Sequence, residues 1–285
     1  SWHVYGQIVN SDCTLFGNNF SISTGLGYHG GNPNVAYDPV NRRFLVIWTE
    51  GFVPHAIYGR FVGPTGQLQE SEILISTTTE YIRRPIIAYD AGNKRFLICW
   101  DGMDPKNEGG DYINTEMFIR LINADGTFLG KEISINTANS RDPTVAYDSV
   151  NQRYFVLWSG FGTESNFYSI YGQLLNADGT LFGNKFPISA TPHEHYNPIA
   201  FYDIKNQRFF VVWSSYGMQS SLDRTGINIY GKFISIDDEG TSIGHWGIGI
   251  LTMSHNEILI FLSAFIFLVV FSILFILWRK RIVSR

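Results

Sequence analysis

The stretch YDPVNRRFLVIW, residues 37–48, decides the fold of this chain, because three further copies follow it. The copies are YDAGNKRFLICW at 89–100, YDSVNQRYFVLW at 147–158 and YDIKNQRFFVVW at 202–213. Their closing tryptophans stand 52, 58 and 55 residues apart. A self-repeat with such a period is typical of propellers and arrays. It also means that most of the recurring residues are structural.

Each repeat predicts four short strands whose burial falls outward. The second strand, as in Phe44–Trp48, is a continuous apolar run, which indicates a strand buried on both faces. The third strand alternates, and the fourth is short and polar. Strands tolerate a proline at their first residue. A proline stands at the predicted start of each first strand: Pro33, Pro85, Pro143 and Pro198. This gradient predicts a β-propeller blade. A tandem array of small sandwiches is the alternative fold. It needs about seven strands per domain, whereas each repeat here provides four.

The predicted fold is therefore all-β: a β-propeller of four-stranded blades of about 55 residues, four complete plus a half blade, followed by one C-terminal transmembrane helix. The propeller fills residues 1–250, with a half unit at 3–24 and complete units at 33–76, 85–135, 143–189 and 198–250. A start in mid-blade predicts residues upstream of Ser1. The alternative is a closed ring, in which the N-terminal strand pair completes the last blade and residues 229–244 become a stalk.

A transmembrane helix is predicted at Ile258–Trp278, which holds 21 residues without a charge. About 20 apolar residues span a bilayer. A linker at 251–257 precedes this segment, and a tail at 279–285 with four basic residues follows it. Basic residues mark the cytoplasmic side, so we predict a single-pass cell-membrane protein with its N-terminal domain outside and its C-terminus cytoplasmic. A buried core helix and a sorting signal removed on attachment to the envelope are the alternatives.

The charge pattern and the cysteines exclude some classes of protein. The net charge is −4, and it is more negative without the basic tail. The ectodomain therefore lacks the basic stripe that nucleic acid requires. Cys13 is predicted at a loop tip and Cys99 in the core, so we expect no disulfide. Asn19 begins an N-glycosylation sequon and is a candidate for modification.

The phrases IYGQLLNADGTLFG, residues 170–183, and YDSVNQRYFVLW resemble repeats of β-propeller type found in bacterial and archaeal secreted and cell-surface proteins. The resemblance covers residues 3 to about 250. It implies an architecture and no particular activity. The repeat lacks the signatures of WD40, kelch and sialidase-like propellers.

The recurring charged residues are predicted to be structural. An aspartate before each turn and an arginine after it stand close enough for an ion pair that clamps the turn. Four equivalent copies argue against a catalytic set. The structural repeat residues are Asp38, Arg43, Trp48, Asp90, Arg95, Trp100, Asp148, Arg153, Trp158, Asp203, Arg208 and Trp213. The Asn-Ala-Asp-Gly turns lack the ligand run of a calcium loop, so we expect no metal and no cofactor.

The loops that vary between repeats share one face of the propeller, here called the variable-loop face. It consists of the connections into each first strand and those from each second to each third strand, and such loops usually carry binding. The binding candidates are His29, His55, Tyr81, Arg84, Asp104, Glu108, His193, Glu194 and His195. His193-Glu194-His195 resembles a metal motif but has no firm third ligand. We therefore predict a non-enzymatic surface protein that binds a protein or glycan, as in adhesion, or serves in the envelope.

A membrane-tethered glycan-processing enzyme of glycosidase type is the alternative function. Glycosidases use a pair of carboxyl groups. The variable-loop face offers six such groups: Glu80, Asp101, Asp104, Glu108, Glu164 and Asp223. Nothing in their spacing selects two of them, so the sequence predicts no catalytic residue.

Overall fold

The computed structural model describes residues 3–24, 31–51, 56–77, 82–103, 115–135, 139–161, 167–189, 193–216, 227–237, 239–240 and 242–252. These residues form strands throughout: β1 (Tyr5–Val9), β2 (Leu15–Ser21), β3 (Gly31–Asp38), β4 (Arg43–Glu50), β5 (Ala56–Val62), β6 (Leu68–Ser76), β7 (Ile82–Asp90), β8 (Arg95–Met103), β9 (Thr115–Asn123), β10 (Phe128–Ser134), β11 (Ser140–Asp148), β12 (Arg153–Phe161), β13 (Tyr168–Asn176), β14 (Leu181–Pro187), β15 (Glu194–Asp203), β16 (Arg208–Tyr216), β17 (Ile227–Ile236) and β18 (Ser242–Thr252).

The strands form four antiparallel sheets of four strands, each running in chain order, and one two-stranded sheet. We call them blade 1 (β3–β6), blade 2 (β7–β10), blade 3 (β11–β14), blade 4 (β15–β18) and the half-blade (β1–β2). The first strands β3, β7, β11 and β15 contact one another in that order, as the innermost strands of a propeller do. The structure thus confirms an all-β fold of propeller-type sheets.

The hydrophobic core lies between neighbouring blades, because each second strand is apolar on both faces. Leu45 and Ile47 on β4 face blade 2, where they pack with Trp100. Val46 and Trp48 on the opposite face of β4 pack against the half-blade. Similar clusters join blade 2 to blade 3 and blade 3 to blade 4. The continuous apolar runs of the repeat therefore hold the blades together.

Blade 4 is completed by its own outer strands. β17 pairs with β16, and β18 pairs with β17. Residues 229–236 and 242–244 consequently lie within this sheet and not in a stalk, and the half-blade packs on blade 1. The start of the predicted linker, residues 251–252, belongs to β18.

The predicted membrane-spanning segment 258–278 and the tail 279–285 lie outside the described residues. Within the described ranges, no helix is both long and apolar enough to cross a membrane.

The repeated aspartate receives hydrogen bonds from its own turn and from the next blade. Asp38 Oδ2 accepts a bond from Asn41 Nδ2 at 2.7 Å, and Oδ1 accepts one from the Tyr89 hydroxyl at 2.6 Å. Tyr89 is the tyrosine of the second copy of the phrase. Burial opposes the charged form, yet these hydrogen bonds hold the pKa of Asp38 below its usual value. The tyrosine of the second copy therefore links blade 2 to the aspartate of blade 1.

The predicted ion pair across each turn forms in blade 4, where Arg208 Nε lies 3.4 Å from Asp203 Oδ2. In blades 1 and 2 the arginine reaches the following blade instead. Arg43 donates to the carbonyl of Ala124, and Arg95 Nη1 donates to that of Ala177 at 3.0 Å. A long guanidinium can satisfy a carbonyl of the next blade's turn, which stabilises more than a solvent-exposed ion pair.

Tyr89→Phe should lower the free energy of unfolding by about 1.5–3 kcal/mol at pH 7, because it removes a hydrogen bond to a charged carboxylate. A carboxyl with a lowered pKa stabilises the fold above its ordinary pKa and loses that contribution as the pH falls through its folded-state pKa. The difference between wild type and variant should therefore shrink below about pH 4. Urea unfolding at pH 7 and pH 3 measures both effects.

Tyr37→Phe is the matched control for this substitution. Tyr37 occupies the same position in blade 1, where it is 43% exposed. Its substitution should leave the free energy of unfolding nearly unchanged. Equal losses at the two positions would contradict the bond between blades.

The cysteines and the sequon lie in three different settings. Cys13 is exposed and Cys99 is fully buried, and both are free thiols. Burial raises the pKa of the Cys99 thiol. Asn19 is exposed on β2.

Candidate active site

The first strands share a bulge that turns side chains out of the sheet. Pairing with the second strand shifts between Gly31 and Asn34 in blade 1, and the later blades shift at the equivalent places. The residue before each repeat proline adopts a positive φ: Asn32 (48°), Arg84 (45°), Asp142 (56°) and Asn197 (52°). Asn and Asp tolerate this left-handed region, whereas Arg rarely adopts it. Such strained positions concentrate at functional sites.

The bulges of blades 2, 3 and 4 surround a cavity of about 330 Å³. Three arginines, two aspartates, two tyrosines and Asn197 line it. The cavity lies where first strands begin and second strands end, which is the variable-loop face. The fold therefore brings to one place residues that belong to three repeats.

Arg84 connects the three blades across the cavity. It forms an ion pair with Asp142, and its Nη1 lies 3.5 Å from Asn197 Oδ1. The Arg84 side chain is 56% exposed, whereas that of Asp142 is mostly buried. Asp142 is thus a carboxylate held at the cavity wall by a guanidinium that still faces solvent.

Asp101 is the buried carboxyl group of the cavity. It is the cross-strand partner of Arg83, and Arg83 Nη2 lies 3.1 Å from Asp101 Oδ2. The Asp101 side chain is 2% exposed, and no group among the described residues hydrogen-bonds its Oδ1.

Burial raises the pKa of Asp101 to about 7. The positive charge of Arg83 opposes this rise, and the nearby charge of Asp142 adds to it. The group can therefore give and take a proton near neutral pH, which is the property that an acid/base catalyst needs.

Tyrosines form the other wall of the cavity. Tyr196 packs against Tyr168 and Tyr216, with ring centroids 5.3 and 5.7 Å apart. The guanidinium of Arg141 lies 4.0 Å from the centroid of the Tyr168 ring and donates to the Tyr168 hydroxyl. Glu194 Oε2 accepts hydrogen bonds from the Tyr196 hydroxyl at 2.8 Å and the Tyr168 amide at 2.9 Å. Aromatic and cationic groups thus form a packed wall beside the two aspartates.

His193-Glu194-His195 is predicted to lie in a loop, but the structure places two of these residues in a strand. Glu194 and His195 begin β15, and successive side chains of a strand point to opposite faces. Glu194 consequently supports the tyrosine wall. His195 is buried, and its Nδ1 accepts a hydrogen bond from Trp213 Nε1 at 3.1 Å. His193 is half-buried just before the strand.

The other binding candidates divide between the cavity and the undescribed part of the chain. Arg84 lines the cavity. His29, His55, Tyr81, Asp104 and Glu108 lie outside the described residues, as do the carboxylates Glu80, Glu164 and Asp223. Within the described ranges, no group of three or more His, Cys, Asp or Glu residues could hold a metal ion.

Sequence reasoning included Asp101 among six carboxylates and missed Asp142, together with Arg83, Arg141, Tyr196, Asn197 and Tyr216. A signal was available for most of them. Aligned on the repeat proline, the two preceding residues read Gly-Asn, Arg-Arg, Arg-Asp and Tyr-Asn. These positions differ between repeats, whereas the phrase that follows them stays constant.

Comparison with known proteins supports the fold. No protein-family model matches the chain, and no curated protein matches it. A solved structure of a protein of unknown function from Dyadobacter fermentans is 12% identical with a TM-score of 0.56, covering 80% of this chain and 71% of that one. An α-L-arabinofuranosidase from Lactobacillus brevis is 14% identical with a TM-score of 0.49, covering 76% and 72%. An endo-arabinase from Bacteroides thetaiotaomicron is 15% identical with a TM-score of 0.45, covering 73% and 76%.

One sequence-based expectation holds only in part, and another is corrected. The resemblance to repeats of bacterial and archaeal surface proteins finds no matching sequence family. The prediction of a non-enzymatic protein is contradicted, because the matched structures include enzymes that act on glycans, among them a family-43 glycoside hydrolase.

Proposed function

We propose that the chain is a glycan-processing enzyme of glycosidase type, with Asp101 and Asp142 as its reacting carboxyl groups. The observation that carries this proposal is the state of Asp101, a buried acid with a pKa of about 7 in the cavity that Asp142 also lines. A protonated and an ionised carboxyl group in one cavity are the pair that glycoside cleavage uses.

The two aspartates take different roles because their surroundings differ. Asp101 gives its proton to the glycosidic oxygen as the bond from that oxygen to the anomeric carbon breaks. Asp142, paired with Arg84, takes a proton from the water that attacks the anomeric carbon. The products are two sugars with one added water. Asp142 then releases its proton to solvent and Asp101 takes one from solvent, which restores both groups to their starting states.

We also propose that this enzyme is tethered to the cell membrane by the apolar segment 258–278, with its propeller outside. The charge-free length of the segment and the basic residues after it support this arrangement. Fractionation of cells expressing the full chain, with protease added from outside, tests it alongside the assay below. A chain that carbonate washing extracts would argue against the tether.

A panel of glycans assayed with the full chain tests the activity. The similar enzymes are named for arabinofuranoside, arabinan and β-1,3-galactan cleavage, so these substrates open the panel, followed by uronate-containing and sulfated glycans. We expect reducing ends to be released from at least one glycan between pH 5 and 8. A folded preparation that cleaves nothing on the panel would overturn the proposal.

A further inference from the structure

Positive charge exceeds negative charge in the cavity. Arg83, Arg84 and Arg141 line it against Asp101 and Asp142. Once Asp101 carries its proton, as a general acid must, the lining residues hold three guanidinium groups and one carboxylate, Asp142, while Glu194 is bonded to the tyrosine wall nearby. The chain as a whole has a net charge of −4, so the charge excess in the cavity is opposite in sign to that of the whole protein.

Arg84 is the arginine best placed to meet a ligand. Its side chain is 56% exposed. Both of its hydrogen bonds to described residues use Nη1. Within the described ranges, Nε and Nη2 therefore remain for a ligand in the cavity. Arg83 is occupied by Asp101, and Arg141 is stacked on Tyr168.

A neutral ligand would leave this charge without compensation. Filling the cavity expels water, and a guanidinium removed from water is costly unless an opposite charge pairs with it. A carboxylate offers two coplanar oxygens to the planar fork of an arginine, which forms short charge-assisted hydrogen bonds. Tyr196 and Tyr216 line the cavity beside Arg141 and supply apolar surface for the body of a sugar.

We propose that this cavity takes a sugar bearing a carboxylate, a uronate, whose carboxylate binds Arg84. This inference rests on the proposed function for the reaction, but the binding that it predicts can be measured without turnover. It makes Arg84 a residue that determines specificity, distinct from the two aspartates.

Calorimetric titration with oligogalacturonate and with its methyl ester tests the proposal on the full chain. The two ligands share a backbone and differ in charge. We expect the acid to bind at least about tenfold more tightly than the ester, as one charge-assisted contact provides. Arg84→Met should remove most of this difference by weakening the acid alone, and Arg84→Lys should restore part of it.

Arg42→Met, at an exposed turn position, is the matched control and should leave both affinities unchanged. Equal binding of acid and ester by the wild type would overturn the inference, as would a preference for a sulfated galactan over the uronate. Cleavage of neutral glycans alone would also overturn it while leaving the proposed function standing. Arg84-dependent binding of the uronate without cleavage would support the inference and count against the proposed function.

Discussion

Asp101→Asn should lower kcat/KM for the cleaved glycan by about 10²–10⁴-fold, the usual contribution of a positioned proton donor. An amide has nearly the shape of the carboxyl group and can still accept a bond from Arg83, but it cannot deliver a proton to a leaving oxygen. Initial rates on the best substrate of the panel measure the loss, and circular dichroism checks that the variant folds.

Asp178→Asn is the matched control for this variant. Asp178 is exposed in the turn between β13 and β14, where its carboxylate accepts hydrogen bonds from Thr180. This substitution should leave kcat/KM unchanged. If Asp101→Asn retained wild-type turnover, Asp101 would not be the acid.

The pH dependence gives a second readout of the same group. Asp101 acts in its protonated form, so activity should fall as the pH rises through about 7. A raised pKa also means that the folded state binds more protons than the unfolded state between about pH 4 and 7. The stabilising contribution of Asp101 should accordingly be lost as the pH rises across this interval. The free energy of unfolding of Asp101→Asn should not show this fall with pH.

Phe155→Ala should lower the free energy of unfolding by about 3–5 kcal/mol, as truncation of a buried aromatic does. Phe155 is 0% exposed and joins blade 3 to blade 4, with its ring centroid 4.7 Å from that of Phe209. A Cβ built on Gly172 would lie 2.5 Å from the same ring. Because the packing here is so close, the loss of the ring would leave a cavity between two blades.

Phe201→Ala, on the inner strand β15, provides the comparison. Phe201 is 64% exposed, so removing its ring takes little apolar surface out of contact. We expect a change within about 0.5 kcal/mol. Urea midpoints and slopes for both variants measure the difference. Similar losses at the two positions would show that the blades are not held together by these buried aromatics.

The repeat predicted the strands well because burial and strand periodicity are local properties. The apolar run Leu45-Val46-Ile47-Trp48 reads as a strand buried on both faces, and it packs on blade 2 with one face and on the half-blade with the other. The partners of Arg43 could not be predicted in this way. Its carbonyl acceptor, Ala124, is 81 residues away in the sequence. Only the packing of one blade on the next brings the two residues together.

Most of the candidate site could not be predicted from the sequence. Arg84, Asp142 and Asn197 are 58 and 55 residues apart along the chain and meet because each inner strand carries the same bulge. Asp101 looked like one carboxylate among six. Its pKa depends on burial and on the charges of Arg83 on blade 2 and Asp142 on blade 3, which spacing along the chain does not reveal.

By itself the sequence determined an all-β chain of four-stranded repeats, because the alternation and the apolar runs that define strands are written into neighbouring residues. The tertiary structure alone decided that the repeated arginines of blades 1 and 2 bind the following blade and that Asp101 is an acid titrating near neutral pH. Those properties arise from groups that different blades bring within a few ångströms of one another, and electrostatic and hydrogen-bond energies depend on that distance and on the exclusion of water.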